Sequence, residues 1–278
     1  MRMQVSLTVS ECKRLIGKGV AKMDIVRQAY KNGTILLSGG TTDAYVFEEL
    51  TGVKVDKELS MCGFIVPFGA CRNHVRGPET MIIRGTKILR EDAPLFSSYI
   101  DKMRHTDVYI KGANALDMAG KAAVMFGHPS GGAQGPIIRK VIAKGMNFIV
   151  PVGLEKLIPI PLAAALEECR TAKVDYSMGM PVRLMEMKGR VVTELDAVRI
   201  LSGAEAIPIG KGGIGGAEGA LTMIIKGGRE QVATAREMIK ECKGELPIRG
   251  KRMDCKVCPV IWCPDNITAG RRPSSKRF

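Results

Sequence analysis

Short apolar runs alternate with longer amphipathic stretches through the first 170 residues. Leu15, Ile16, Val20, Met23, Ile25 and Val26 recur at helical spacing behind Ser10, which predicts a helix over 9–31 that closes at Gly33 and breaks near Gly17 to Gly19. A buried strand follows at 34–37 ("TILL"), then a helix over 43–52 and a glycine-bounded apolar run at 63–70. Residues 80–88 read as a strand or hairpin, 94–106 as a helix, and 107–117 as a strand leaving through a Gly-Ala-Asn turn. Another apolar run begins at 122; a helix over 136–146 has Pro136 in its first turn, and a strand at 147–153 and a helix at 161–170 complete the series. This alternation predicts an α/β fold with a Rossmann-like, doubly wound, mostly parallel sheet.

From Met180 the pattern changes. Extended residues 181–192, a helix over 193–203 with Thr193 as cap, strands at 205–209 and 220–228, a helix over 229–244 and a short strand at 245–248 give the order β-α-β-β-α-β. That order predicts a smaller, ferredoxin-like α+β domain. The expected organisation is an α/β ligand-binding domain over 1–168, the ferredoxin-like domain over 169–250, and a Cys-containing basic tail over 251–278.

Ligands of an open parallel sheet bind beyond the carboxyl ends of its strands, so the polar, glycine-bearing loops there are the first place to look for chemistry. Ser38, Gly39, Gly40, Thr41 and Thr42 open a helix directly after a strand, where hydroxyls and unpaired N–H groups suit an anion. Lys111, Gly112 and Asn114 follow a second strand; Ser130, Gly131, Gly132 and Gln134 lie in a third loop; Glu155 and Lys156 follow a fourth strand. Asp117, Glu155 and His128 are the candidate acids and bases, and Lys111 or Lys156 the fixed positive charge. Asp117 read plainly is a cap for a helix starting near Met118, and His128 a turn histidine before proline. His74, with Arg72 and Arg76, shares a polar loop that reads as a solvated basic connection.

Lysine and arginine outnumber acids 42 to 28, a net charge of +14, which favours an anionic partner. Nucleic acid is the less favoured choice, because aromatics make up only 5% and Gly210 to Gly213, though of GxxG form, lacks the flanking elements of an RNA-clamping module. The connection at 210–219 reads as a flexible link, or as a lid with Lys211 reaching the ligand. No apolar run of membrane-spanning length and no signal-peptide core is evident, so the expectation is a cytoplasmic chain that engages no membrane; a homo-oligomer is compatible with it.

The loop order resembles the superfamily that joins ribose-5-phosphate isomerase, glucosamine-6-phosphate deaminase and the CoA transferases. "LLSGGTT" is similar to that family's first strand and phosphate loop, "YIKGANALD" to the isomerase's Gly-Ala-Asp-Glu-x-Asp segment, "GHPSGGAQG" stands at its glycine-rich loop, and "FIVPVGLEK" resembles its strand before a lysine. The resemblance covers residues 9–160 and implies a sugar-phosphate or CoA-linked substrate and a small ferredoxin-like domain after the lysine motif. Two departures bear on the chemistry: Gln134 stands where the isomerase has its glutamate base, and Asn114 with Ala115 replaces its acidic pair. The reading is therefore a protein that binds a small anionic metabolite at the strand ends, as an isomerase, hydrolase or transferase, or as a non-catalytic sensor that lost its base.

Eight cysteines without a secretory signal read as thiols or metal ligands. Cys255, Cys258 and Cys263, separated by two and four residues, form a candidate zinc or iron–sulfur site, with Cys242 thirteen residues upstream as a fourth ligand. Packed thiols around Trp262 are the alternative.

Overall fold

A computed structural model describes residues 1–74, 80–85, 87–91, 93–132, 134–170 and 174–265. The basic end of the tail and Arg76 lie outside the described residues. Among those described there are eight helices and a mixed six-stranded sheet. The strands are β1 (Arg2–Leu7), β2 (Thr34–Ser38), β3 (Gly63–Val66), β4 (Gly69–Arg72), β5 (Thr80–Arg84), β6 (Lys87–Glu91), β7 (Val108–Ile110), β8 (Ala115–Leu116), β9 (Ala122–Phe126), β10 (Asn147–Pro151), β11 (Arg183–Met187), β12 (Arg190–Val192), β13 (Glu205–Lys211) and β14 (Leu221–Lys226). The helices are α1 (Val9–Lys22), α2 (Asp24–Asn32), α3 (Thr41–Thr51), α4 (Ala93–Lys102), α5 (Gln134–Ala143), α6 (Leu162–Glu168), α7 (Glu194–Ser202) and α8 (Arg229–Cys242).

The main sheet runs β12-β10-β7-β2-β5-β6. β12, β10, β7 and β2 are parallel, and the β5–β6 hairpin adds antiparallel to β2. Strand alternation explains how both faces are covered. Ile35 and Leu37, with Val108, Ile110 and Ile149, share an apolar cluster with Ile16 and Val20 of α1, Val26 of α2 and Phe47 of α3. Leu36, Tyr109, Phe148 and Val150 share another with Ile100 of α4 and Ile137, Ile138 and Val141 of α5.

Two sequence expectations change at the start of the chain. The helix does not break at Gly17 to Gly19: α1 runs through both glycines and stops at Met23, which separates it from α2. The glycines are there for close approach, since a Cβ on Gly17 would stand 3.0 Å from the Tyr45 carbonyl carbon and one on Gly19 only 2.8 Å from Ala197 Cα. Bare backbone lets α1 lie against both α3 and α7.

The strands of 180–248 do not form one sheet together. β11 pairs with β9 in a small β11-β9-β8 sheet, β12 extends the main sheet beside β10, and β13 and β14 pair in the order β1-β14-β13 with the N-terminal strand. No strand is formed over 245–248. Hydrogen bonds therefore cross the expected boundary at 168/169 in three places, and the ferredoxin-like sheet is shared out among them. The run at 63–70 is the β3–β4 hairpin, outside the main sheet. No helix among the described residues is long and apolar enough to cross a membrane.

Candidate functional site

The four parallel strands end side by side, and the segments leaving them build one rim. β2 gives Ser38, Gly39 and the start of α3; β7 gives Lys111 and Gly112; β10 gives Gly153, Leu154 and Glu155; β12 gives Thr193 and Glu194. Two acidic centres stand along it.

The first lies between β2 and β7. Lys111 Nζ donates to the carbonyls of Ser38 (2.8 Å) and Gly39 (2.5 Å). Ser38, fully buried, donates its hydroxyl to Gln134 Oε1, which also accepts from the Tyr109 hydroxyl at 3.1 Å. Asp43, in the first turn of α3, is 0% exposed. Its Oδ2 accepts the Gly112 N–H at 3.2 Å, and its Oδ1 is buried without a hydrogen-bond partner. Burial pushes this carboxyl up to about 6, against the pull of Lys111 and the Gly112 N–H. Gly40 caps α3 without a side-chain bond, and a Cβ there would come within 2.9 Å of Asp43 Oδ2. Thr41 and Thr42 form the first turn behind it.

The second centre lies between β10 and β12. Glu194, 1% exposed, accepts the Leu154 N–H with both oxygens, at 3.2 and 3.0 Å. Burial and the neighbouring Glu155 push it up to about 7. Both carboxylate oxygens of Glu155 are buried with no hydrogen-bond partner. A Cβ on Gly153 would collide with Glu155 Oε2 and stand 3.1 Å from Glu194 Oε1, so both carboxyls converge above this glycine. Lys13 of α1 faces the centre, its amine pushed down by burial and by Lys156, with Glu155 opposing. Lys211 donates to the Leu154 carbonyl, and a Cβ on Gly219 of the glycine-rich connection would stand 3.8 Å from Glu155 Cβ. Lys211 thus holds the connection down on the 3-10 turn Leu154–Lys156.

The structure brings Ser38 to Thr42, Lys111, Gly112 and Gln134 together, and sets Glu155 and Lys156 two strands away on the same rim. Other expected residues are used differently. Asp117 spends Oδ1 on the N–H groups of Ala119 and Lys121 and Oδ2 on that of Leu162, all at 2.9 Å. The Leu162 bond foremost, with the other two, holds its carboxyl below the usual range. It closes the turn into β9 and no helix starts at Met118. Asn114 Oδ1 accepts the Met125 N–H at 3.0 Å and so pins β8 to β9. His128 is exposed, with Nδ1 2.8 Å from Ser130 Oγ and its ring edge-on to Trp262 at 5.0 Å. It and Ser130, Gly131 and Gly132 belong to the loop after β9.

Asp43, Glu194 and Lys13 were not anticipated as site residues. Each lies in the opening turns of a helix, where acids are ordinary and a lysine unremarkable, so the sequence offers no sign of burial. Among the described residues, no three His, Cys, Asp or Glu side chains are placed to hold a metal ion, Cys255, Cys258 and Cys263 included. Cys242 is buried at the end of α8, beside Lys18, Glu49 and Arg14.

Comparison of the chain with protein-family models, with curated proteins and with solved structures finds no match.

Proposed function

We propose that this rim binds a small anionic metabolite, phosphorylated or CoA-linked, and moves protons on it. The observation that carries the reading is Asp43: a fully buried carboxyl with one orphaned oxygen, beside Lys111, at the start of α3. An unpaired buried polar atom is costly, and such costs concentrate where chemistry is done. The parallel order β12-β10-β7-β2 supports the Rossmann-like, doubly wound reading, which sets ligands at these strand ends.

In this reading the N–H groups of Gly39 to Thr42 take the anion, and Lys111 leaves the Ser38 and Gly39 carbonyls to neutralise it. Asp43, its carboxyl raised by burial to about 6, then serves as general acid or base in place of the missing glutamate at Gln134. A sugar-phosphate isomerase fits, and so does a hydrolase or transferase. A sensor without turnover is favoured by one observation: Gln134 already occupies Ser38 and Tyr109, so the residue at the lost base position works as a strut.

Thermal-shift screening against phosphosugars, nucleotides and acyl-CoAs tests the reading. Saturation at about a hundred times Kd stabilises by about 2.7 kcal/mol, a clear rise in Tm. That rise should vanish in Lys111→Ala. No rise with any of the three classes overturns the proposal, and binding without turnover selects the sensor.

A further inference from the structure

The centre between β10 and β12 lies further along the rim than the anion site and gathers charges that do not neutralise one another. Glu155 and Lys156 are neighbours in the 3-10 turn Leu154–Lys156, and Glu155 folds its carboxyl back over Gly153. Glu194 reaches the same spot from the first turn of α7: the place that a Gly153 Cβ would take is 3.1 Å from Glu194 Oε1 and collides with Glu155 Oε2. The Leu154 N–H anchors Glu194 through both oxygens, so this carboxyl stays turned toward Glu155. Glu155 has no such anchor. Both its oxygens are buried and accept no hydrogen bond, although Lys156 is adjacent, Lys13 stands on α1 where that helix packs against β10 and α7, and Lys211 sits on the Leu154 carbonyl. A buried carboxyl left without donors in the midst of three lysines is an expensive arrangement, and a ligand that supplies the donors removes the expense.

We propose that this centre is a second binding site, for a small zwitterion of the amino-acid type, with the ligand's ammonium between Glu155 and Glu194 and its carboxylate on Lys13, Lys156 and a released Lys211. The signs of the side chains choose the ligand. A cation alone would meet the lysines, and an anion alone would leave the carboxyls unmatched; a dipolar molecule answers both and adds no net charge to a buried place. An ammonium carries three donors, which suits the two empty oxygens of Glu155 and the Glu194 Oε1 beside them. The same ligand relieves the strain in the titrating groups: burial and Glu155 push the Glu194 carboxyl up, burial and Lys156 push the Lys13 amine down, and an opposite charge set between each pair reverses the shift. Room comes from the glycine-rich connection. A Cβ on Gly219 would touch Glu155, so the connection covers the acid, yet at Gly210, Gly212 and Gly215 nothing stands within 4 Å of where a Cβ would be. Release of the Lys211 bond to the Leu154 carbonyl lets it lift and frees the amine for the ligand's carboxylate.

The full chain is titrated with each of the twenty common amino acids, by thermal shift and then by calorimetry. Any that binds is compared with the amine that lacks its carboxylate and with the acid that lacks its ammonium. The expected result is a rise in Tm with at least one amino acid, and affinity weaker by about tenfold or more for both truncated molecules, since each forfeits charge-assisted bonds. Glu155→Gln and Lys156→Ala should each weaken binding to a similar degree, and the second, at a half-buried lysine, serves if the first disturbs folding. Lys111→Ala should leave amino-acid affinity unchanged, which separates this site from the anion site: either can fail without the other. The proposal is overturned if no amino acid raises Tm, if the amine or the acid alone binds as tightly, if Lys156→Ala keeps full affinity, or if a folded Lys111→Ala loses it.

Discussion

Helix α3 carries two buried carboxyls five residues apart, and they are treated in opposite ways. Glu48, 4% exposed, faces Arg14 Nη2 at 2.6 Å, Lys57 Nζ at 2.9 Å and the Val55 N–H at 3.0 Å. Arg14 also pairs with Glu49 and Glu245 and lies over the Tyr45 ring, 4.6 Å from its centroid. Asp43 has one backbone N–H and an orphaned oxygen. Burial raises both carboxyls, but at Glu48 the bonds from Lys57, Val55 and Arg14 win and hold it at about 2, whereas at Asp43 burial wins and leaves it at about 6. The lesson is that depth alone does not mark a functional acid; what separates the two is whether the fold has supplied partners.

The largest effect should come from removing the shared cation. Arg14→Met takes the guanidinium from Glu48, Glu49 and Glu245 at once and leaves Glu48 on Lys57 and the Val55 N–H, and breaking a buried pair by deleting one partner costs about 3–5 kcal/mol. Urea unfolding at pH 7 reads this directly. A loss below about 1 kcal/mol would put the network among ordinary surface pairs and dissolve the contrast.

The two carboxyls should also respond to pH with opposite sign. Glu48, depressed from 4.5 to about 2, contributes stability that is complete above pH 4.5 and lost as pH falls toward 2. At 1.36 kcal/mol per unit that is about 3 kcal/mol. Asp43, raised from 3.8 to about 6, costs nothing below pH 3.8, and the cost grows to about 3 kcal/mol above pH 6. Asp43→Asn should therefore stabilise the protein at pH 8 by up to that amount and leave it unchanged at pH 3.5. If the variant is instead less stable than wild type at pH 8, Asp43 is a paired structural acid like Glu48.

Much of the main sheet was legible because its signals are local. The apolar runs at 34–37, 107–110 and 147–151 and the amphipathic helices between them are readable from period alone, and the rule that loops at strand ends converge placed Ser38, Lys111 and Glu155 on one rim. The loss came from pairing across distance. Nothing in "RMQVSL" says that it will lie against residues 221–226, and nothing in 181–192 says that its two halves will join two different sheets. The same blindness hid Asp43 and Glu194, whose character depends on which neighbours fail to reach them. Asp117 erred the other way: an acid in a glycine-bearing loop reads as chemistry until three N–H groups are found on it.

The smallest expected effect belongs to that residue. Asp117 resembles Glu48 in having every oxygen occupied, but its partners are backbone groups at the start of β9 and of α6. Asparagine keeps one accepting oxygen and presents an amide nitrogen where the other stood, so Asp117→Asn should lose part of this capping, about 1 kcal/mol by analogy with helix caps. Because neither oxygen is left over for a substrate, ligand-dependent thermal shifts and turnover should match wild type once that loss is allowed for. A variant that folds with nearly full stability yet loses turnover would return Asp117 to the catalytic set and show that an occupied carboxylate can exchange its partners during the reaction.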